Sequence, residues 1–279
     1  MRRPPSHLID SSRGPVEYAI HSTGPAVVVS HGTGGGYDQG LVLSRLLSGY
    51  QGVAISRAGY LRTPLETGRT PAEMADACAL LLDALRVAKA AILGLSGGGM
   101  CAAHFALQHP DRCWGLILAD AIAKTPPGSS VEMVRRANSL PDALAWFLTR
   151  LAIHVGLPLM IRDVETRSLM RVFFENNPIS ERRAGVQNDL EQIHAMDGFA
   201  WEEIRVPTLL IHGDRDRLIP LGYSQEVSHR VEGSELAIVQ GGGHECLLSH
   251  HVYVAPILQA FLGRAFENKA TYSENPGPR

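Results

Sequence analysis

A serine between glycines is the clearest candidate for chemistry in this sequence. Ser96 follows the apolar run 91–93 and lies in the pentapeptide Gly-Leu-Ser-Gly-Gly over 94–98. A serine hydroxyl is a weak nucleophile at neutral pH, so it needs a tight turn that exposes it, a base within reach and free backbone N–H groups beside it. Gly94 and Gly98 carry no β-carbon, which lets a strand and a helix approach closely at such a turn. The pattern therefore predicts a nucleophile elbow with Ser96 as the nucleophile.

Two later loops could supply the partners that this serine needs. An apolar strand pattern over 207–211 precedes a loop that holds both Asp214 and Asp216, and either carboxylate could orient an imidazole. A second strand pattern over 235–239 runs into glycines and then His244. We expect His244 to act as the general base, which takes the serine proton during attack and returns it to the leaving group. The 28 residues from 216 to 244 match a helix plus a strand, which would bring the two loops side by side.

A third glycine-rich segment, His-Gly-Thr-Gly-Gly-Gly over 31–36, follows the apolar run 26–30. Such a loop could bind phosphate or stabilise an oxyanion. The sequence has neither a lysine-bearing P-loop nor a dinucleotide-binding glycine motif with its acidic residue, which disfavours nucleotide binding. We expect instead an oxyanion hole formed by the backbone N–H groups of Thr33 and Gly97. His31 is expected to brace the loop rather than to react.

With these motifs in this order, the sequence resembles the α/β-hydrolase superfamily, and in particular its cofactor-independent Ser-His-Asp branch, over nearly its whole length. The landmarks are His31-Gly32-Thr33-Gly34-Gly35, Gly94-Leu95-Ser96-Gly97-Gly98, Gly213-Asp214-Arg215-Asp216 followed by Pro220, and Gly243-His244. The resemblance implies an α/β fold in which a mostly parallel sheet is flanked by helices, with a helical cap inserted between strands 6 and 7. It also implies chemistry without a cofactor or a metal ion.

The resemblance favours one acid over the others. In the family pattern the acid stands three residues after a glycine and four before a proline, and Gly213, Asp216 and Pro220 have this spacing. Its carboxylate would accept the ring N–H of the base and stabilise the imidazolium. Some relatives place the acid directly after the sixth strand, where this chain has Asp120, so Asp120 is the alternative. Asp214 is then expected to be a structural turn residue.

The elements that must position these residues alternate along the chain. Apolar runs predict strands over 16–21, 26–30, 52–56, 90–95, 114–119, 207–211 and 235–239, the first of them at an edge. Thr70-Pro71-Ala72-Glu73 predicts a helix start with a capping box and proline at its first position. A last helix is expected over 252–266, started or kinked at Pro256. Such alternation predicts parallel strands, whose carboxyl ends would carry the candidate site residues.

The alternation stops after Asp120, where the chain becomes helical and loses its strand runs. We therefore predict a core formed by residues 1–121 and 204–267. Residues 122–203 are predicted to form an inserted helical cap, and residues 268–279 a flexible tail. We expect most of the large apolar side chains in the predicted cap, among them Trp146, Leu151 and Trp201, to hold the cap helices to the core. Together they suggest a covered, apolar pocket.

Composition narrows the class of protein. The 279 residues are 45% hydrophobic and have a formal net charge of −2. This composition indicates neither a basic nucleic-acid-binding surface nor a polybasic membrane-binding patch. No apolar stretch near the N-terminus is long enough for a signal peptide or a membrane span. Four scattered cysteines without C-x-x-C spacing disfavour a zinc site and a disulfide framework. We expect a cytoplasmic enzyme with no membrane span and no nucleic-acid partner, and a homodimer is left open.

The expected reaction is acyl transfer on a small or medium apolar carboxylic ester, or on a related lactone or thioester, through an acyl-enzyme. A carbon–carbon bond hydrolase that acts on a β-diketone-like acid would use the same residues under a helical cap, and it is the alternative reaction. Outside enzymology, the alternative is an α/β-hydrolase that binds a ligand without catalysis.

Overall fold

The computed structural model describes residues 3–175 and 178–273. Its strands are β1 (His7–Ser11), β2 (Gly14–His21), β3 (Ala26–Ser30), β4 (Gln51–Ile55), β5 (Ala90–Leu95), β6 (Cys113–Ala119), β7 (Thr208–Gly213) and β8 (Glu235–Val239). They form one eight-stranded sheet in the order β1-β2-β4-β3-β5-β6-β7-β8. The strands from β3 to β8 pair in parallel, and β2 runs antiparallel to both of its neighbours. The expected mostly parallel sheet is confirmed.

One strand was not predicted. The strand expected at the edge, over 16–21, is β2, and it lies one position inside the sheet because β1 pairs along its outer side. The short β1 is largely exposed, so it lacks the apolar run that marks the buried strands. An exposed edge strand therefore gives little sequence signal.

The helices are α1 (Tyr37–Ser44), α2 (Pro71–Ala84), α3 (Gly98–Gln108), α4 (Gly128–Ser139), α5 (Asp142–Leu151), α6 (Leu157–Met160), α7 (Val164–Glu175), α8 (Arg183–Glu191), α9 (Leu221–Arg230), α10 (Cys246–Ser249) and α11 (His251–Ser273). Helix α2 begins as expected, since Thr70 Oγ1 accepts the Glu73 N–H and the Glu73 carboxylate accepts the Thr70 N–H. Helix α11 contains Pro256 within it and continues to Ser273, into the predicted tail. Residues 274–279 of that tail lie outside the described residues.

The core lies on both faces of the sheet. Successive residues of the central strands alternate between two apolar layers: Val28 and Leu116 pack in one layer, whereas Val27 and Ile117 pack in the other. Helices α2, α3 and α9 cover the first layer, and α1 and α11 cover the second. Strands buried on both faces are continuous apolar runs, which is why they were recognisable in the sequence.

A helical insertion follows β6. Helices α4 to α8 occupy the described residues between β6 and β7, and no strand interrupts them there. Two buried ion pairs join this insertion to the core: Arg182 binds Asp38 on α1 at 2.6 Å, and Asp189 binds Arg57, which follows β4, at 2.6 Å. The limits 122–203 for a separate cap stay a prediction. Within the described residues, no helix combines the length and the apolar character that crossing a membrane requires.

Candidate active site

Ser96 lies at the turn between β5 and α3 with a φ of 51°, in the left-handed region. Its N–H donates to the carbonyl of Ala119 at 2.9 Å, and its own carbonyl accepts the N–H groups of Gly99 at 2.9 Å and Ile122 at 3.1 Å. A non-glycine residue in this region is strained and persists only where its surroundings fix it. The backbone bonds on both sides therefore hold the hydroxyl in one place.

Close packing beneath this turn requires glycine. A β-carbon at Gly94 would lie 2.6 Å from the Cα of Gly99, and one at Gly98 would clash with the carbonyl oxygen of Ser30. The strand and the helix could not approach this closely with larger residues. The expected role of both glycines agrees with these contacts.

A chain of hydrogen bonds joins Ser96, His244 and Asp216, the three residues that the motifs predicted to form the site. Ser96 Oγ lies 2.9 Å from His244 Nε2, and His244 Nδ1 lies 2.7 Å from Asp216 Oδ2. Because the carboxylate accepts, the ring carries its proton on Nδ1 and presents Nε2 as an acceptor for the serine O–H. The other carboxylate oxygen accepts the N–H groups of Leu218 at 2.7 Å and Ile219 at 3.0 Å.

These contacts set the charge of the carboxylate and the basicity of the ring. Burial alone would raise the pKa of Asp216, but hydrogen bonds from His212 and His244 outweigh it and hold that pKa below its usual range. Burial alone would lower the pKa of His244, but the hydrogen bond and charge of Asp216 outweigh it and raise that pKa above 6.5. An ionised acid beside a basic imidazole is the combination that general-base chemistry needs.

The other two candidate acids lie elsewhere. Asp120 is fully buried; its Oδ1 accepts the Gly213 N–H at 3.0 Å, and its Oδ2 lies 3.2 Å from the Cys246 thiol. Burial raises the pKa of Asp120 to about 6, in spite of the nearby histidines. Asp214 Oδ1 accepts the Gly241 N–H at 2.7 Å, as a turn residue would. The structure thus brings Asp216 to the imidazole of the base, and neither of the other two.

A second buried histidine stands behind the acid. His212 Nε2 donates to the Ile219 carbonyl at 2.9 Å and lies 3.5 Å from Asp216 Oδ2, while Nδ1 lies 2.7 Å from Ser224 Oγ. Burial lowers the pKa of His212, but the hydrogen bond to Asp216 and the nearby carboxylates raise it further. Asp120, His212 and Asp216 offer potential metal-ligand atoms within 4.8 Å of one another. Each of these side chains already has hydrogen-bond partners, so we interpret the cluster as the support of the acid.

The expected oxyanion donors lie side by side near the serine. A β-carbon at Gly97 would lie 3.4 Å from Thr33 N, and one at Gly32 would lie 3.3 Å from Ser96 Cβ. In residues 3–175 and 178–273, neither the Thr33 N–H nor the Gly97 N–H has a hydrogen-bond acceptor. Two unpaired N–H donors beside a serine hydroxyl can stabilise a tetrahedral oxyanion.

His31 braces the loop that carries Thr33. Its Nε2 accepts the Arg57 N–H at 3.0 Å, so Nδ1 carries the proton and donates to the Gly32 carbonyl at 2.7 Å. Burial, followed by the charge of Arg57, lowers the pKa of His31 well below its usual value. The ring is therefore neutral and structural, as expected.

Sequence reasoning missed Arg57, Tyr60 and Asp189, which surround the same loop. Arg57 and Asp189 are 132 residues apart, and no local pattern links them. One feature of the sequence could have indicated that Arg57 belongs to the site, namely its position directly after the buried strand pattern over 52–56. A charged side chain at the carboxyl end of a parallel strand lies at the edge where sites form.

A cavity of about 190 Å³ opens above the serine and the base. Its apolar lining consists of Ile122, Pro126, Val131, Val134, Leu190, Ile193, Leu218 and Ile219. Asp189 and Glu245 also line it, and no lysine or arginine of the described residues does. Among the large apolar residues of the predicted cap, Trp201 is buried in the core, whereas Trp146 and Phe147 are each 56% exposed and do not line the cavity. Aliphatic residues of α4 and α8 cover the cavity.

Comparison with known proteins gives the same fold. Residues 25–251 match the alpha/beta hydrolase fold family. The chain is 28% identical over 266 residues to a putative 2-succinyl-6-hydroxy-2,4-cyclohexadiene-1-carboxylate synthase of Bacillus subtilis, covering 88% of this chain and 95% of that protein. It is 27% identical over 192 residues to a pimeloyl-[acyl-carrier protein] methyl ester esterase of Neisseria meningitidis, covering 67% and 60% respectively. A solved alpha/beta hydrolase fold protein from Nakamurella multipartita has a TM-score of 0.79 and 27% identity, covering 94% and 99%.

Proposed function

Since the chain belongs to the α/β hydrolase fold family, we propose that it is a serine hydrolase that cleaves a small or medium apolar carboxylic ester. The observation that carries this proposal is the line of hydrogen bonds from Ser96 through His244 to Asp216, beside two unpaired N–H donors and under an apolar cavity. A serine that only packed the turn would need neither a base on its hydroxyl nor free donors beside it. Acyl transfer uses all of these groups.

The reaction follows from the positions of these groups. His244 Nε2 takes the proton as Ser96 Oγ attacks the ester carbonyl, and the N–H groups of Thr33 and Gly97 stabilise the oxyanion that forms. The protonated ring is stabilised by Asp216 and returns the proton to the departing alcohol. Water then attacks the acyl-enzyme with the same base, and the carboxylic acid product leaves.

The lining of the cavity favours a neutral substrate. Its walls are aliphatic, and its formal charges come from the carboxylates of Asp189 and Glu245. A cavity of about 190 Å³ supports a short or medium acyl group. The Neisseria relative is named for an ester substrate. A carbon–carbon bond hydrolase would have to bind an acidic substrate here without a lysine or arginine in the described lining, so the ester is preferred.

Labelling with a fluorophosphonate probe tests the proposal directly. The wild-type protein should be labelled and should hydrolyse p-nitrophenyl butyrate, whereas S96A, with an unchanged circular dichroism spectrum, should do neither. Rates should decline from medium to long acyl chains because the cavity is small. A folded wild type that is neither labelled nor active would overturn the proposal and favour a ligand-binding protein. A rate that keeps rising towards long chains would refute the substrate size.

A further inference from the structure

One carboxylate of the helical insertion reaches the oxyanion loop. Asp189, on α8, is 6% exposed and accepts four hydrogen bonds. Arg57 donates from Nη1 to Oδ1 at 2.6 Å and from Nη2 to Oδ2 at 2.7 Å. The hydroxyls of Tyr60 and Thr33 donate to Oδ2 at 2.6 Å and 2.8 Å. A single side chain from the insertion thus joins three residues of the core.

The same partners bind three residues of the loop, on both sides of the Thr33 N–H. The Tyr60 hydroxyl accepts the Gly34 N–H at 3.2 Å, and Arg57 Nε donates to the His31 carbonyl at 3.0 Å. Asp189 itself holds the Thr33 side chain. The N–H of Thr33 lies between these fixed points, so its direction is set by groups on both sides of it.

The charges and protonation states of this cluster favour its hydrogen bonds. A buried carboxylate is tolerated when a well-aligned cation and further donors satisfy it, and loss of one partner leaves an uncompensated charge. Burial and then the charge of Asp189 raise the pKa of Tyr60 well above its usual value, so the phenol keeps the proton that it donates. Burial opposes the charge of Arg57, but Asp189 outweighs it and raises the pKa of that guanidinium. All donors therefore stay in their donating forms over the working range of pH.

We propose that Asp189 is a positioning residue that fixes the Thr33 N–H in the oxyanion hole, so that the insertion completes the hole when it packs on the core. This inference rests on the proposed function. Donors stabilise a developing oxyanion best when they are in place before the charge forms. The insertion then contributes to the rate of the chemical step as well as to the walls of the cavity.

Two substitutions test the link without removing a donor to the oxyanion. T33V removes the hydroxyl that bonds to Asp189 and keeps the backbone N–H, whereas T33S keeps the hydroxyl. D189N removes the charge at nearly constant shape, and T33V serves as the second test if D189N folds poorly. We expect T33V and D189N to lower kcat per titrated active site by about 10- to 100-fold, less than the loss of a whole donor. T33S should restore most of the rate.

Binding of a boronic acid that forms a tetrahedral serine adduct separates positioning from a merely structural role. Its affinity should fall in parallel with kcat in T33V, while KM for p-nitrophenyl butyrate and the pH profile stay close to wild type. The melting temperature of T33V should fall by less than about 4 °C.

Asn188 provides the matched control on the same helix. Its Nδ2 donates to the Arg69 carbonyl at 2.8 Å, which links α8 to the core, and in the described part of the chain Asn188 has no side-chain hydrogen bond to the oxyanion loop. N188A should therefore keep kcat and boronic acid affinity. Equal losses in N188A and T33V, or full activity in both T33V and D189N, would overturn the inference. A wild type without activity or fluorophosphonate labelling would instead overturn the proposed function.

Discussion

The imidazole of His244 donates to Oδ2 of Asp216 over 2.7 Å, while Oδ1 of the same carboxylate is bound by two backbone N–H groups of its own loop. The acid is thus fixed before it meets the ring, and it imposes both the tautomer and the orientation of the imidazole. Asp120 lies close enough for its charge to raise the pKa of the ring, but it bonds to Gly213 instead. The two carboxylates near this imidazole therefore have different hydrogen-bond partners.

Substitution of each acid should distinguish these tasks. We expect D216N to lower kcat by about 10⁴-fold, because the amide cannot hold the ring in the tautomer that accepts the serine proton. We expect D120N to lower kcat much less, because its amide keeps an oxygen that can accept the Gly213 N–H. Steady-state kinetics with the two purified variants, checked for folding by circular dichroism, provide the measurement. A larger loss in D120N would transfer the role of the acid to Asp120.

The pH dependence of kcat/KM should reveal the base. Proton transfer requires neutral His244, and Asp216 raises its pKa above 6.5, so activity should rise with pH through a midpoint above 6.5. In D216N the hydrogen bond and charge of Asp216, the largest causes that raise the pKa of His244, are lost while burial still lowers it, so the midpoint of the residual activity should move to lower pH. Profiles measured at constant ionic strength over both sides of the midpoint test this shift. An unchanged midpoint in D216N would contradict the assignment.

A single methyl group should disturb the oxyanion hole. Gly97 has helical dihedral angles that alanine adopts freely, but a β-carbon there would collide with Thr33 Oγ1. We expect G97A to lower kcat by about 10²-fold through displacement of the loop. Gly128 is the matched control, since a β-carbon there meets no atom within 4 Å. If kcat per active site and melting temperature changed equally in G97A and G128A, the steric argument would fail.

Charge in the cavity should select between esters. Glu245 lines the pocket beside His244 and has no ion-pair partner in the described part of the chain, whereas the charge of Asp189 is balanced by Arg57. We expect p-nitrophenyl butyrate to be hydrolysed faster than mono-p-nitrophenyl succinate, whose carboxylate would be repelled. E245Q should raise the ratio of kcat/KM for the anionic ester to that for the neutral one several-fold. The difference should shrink at high salt. A wild type that prefers the succinate ester would refute this electrostatic argument.

Local patterns were sufficient for strands β2 to β8 and for the candidate residues that meet at the edge of the sheet. Ser96 stood out because the glycines required at a tight turn are visible in a short window, and the central strands stood out because burial on both faces makes them continuously apolar. His244 and Asp216 could be nominated because each follows such a strand. Their contact depends on the parallel pairing of β7 with β8, which the structure supplies.

Long-range packing decided what the sequence left open. Which side of an inserted helix faces the cavity depends on how the whole insertion lies on the core, so the sequence could not show which apolar residues of the insertion line the cavity. Asp189 likewise looked like an ordinary polar residue of a helix. Its role follows from contacts with Arg57 and Tyr60 at great separation along the chain.

Strand β8 has a neighbour on one side, because it ends the order of the sheet, and its residues 235–238 are not fully buried. The loop that carries His244 follows directly from this strand. Peripheral strands detach at lower free energy than the centre of a sheet. Hydrolysis should therefore be lost at urea concentrations that leave the far-ultraviolet circular dichroism spectrum unchanged. Enzyme assays would then detect local unfolding of β8 before circular dichroism does.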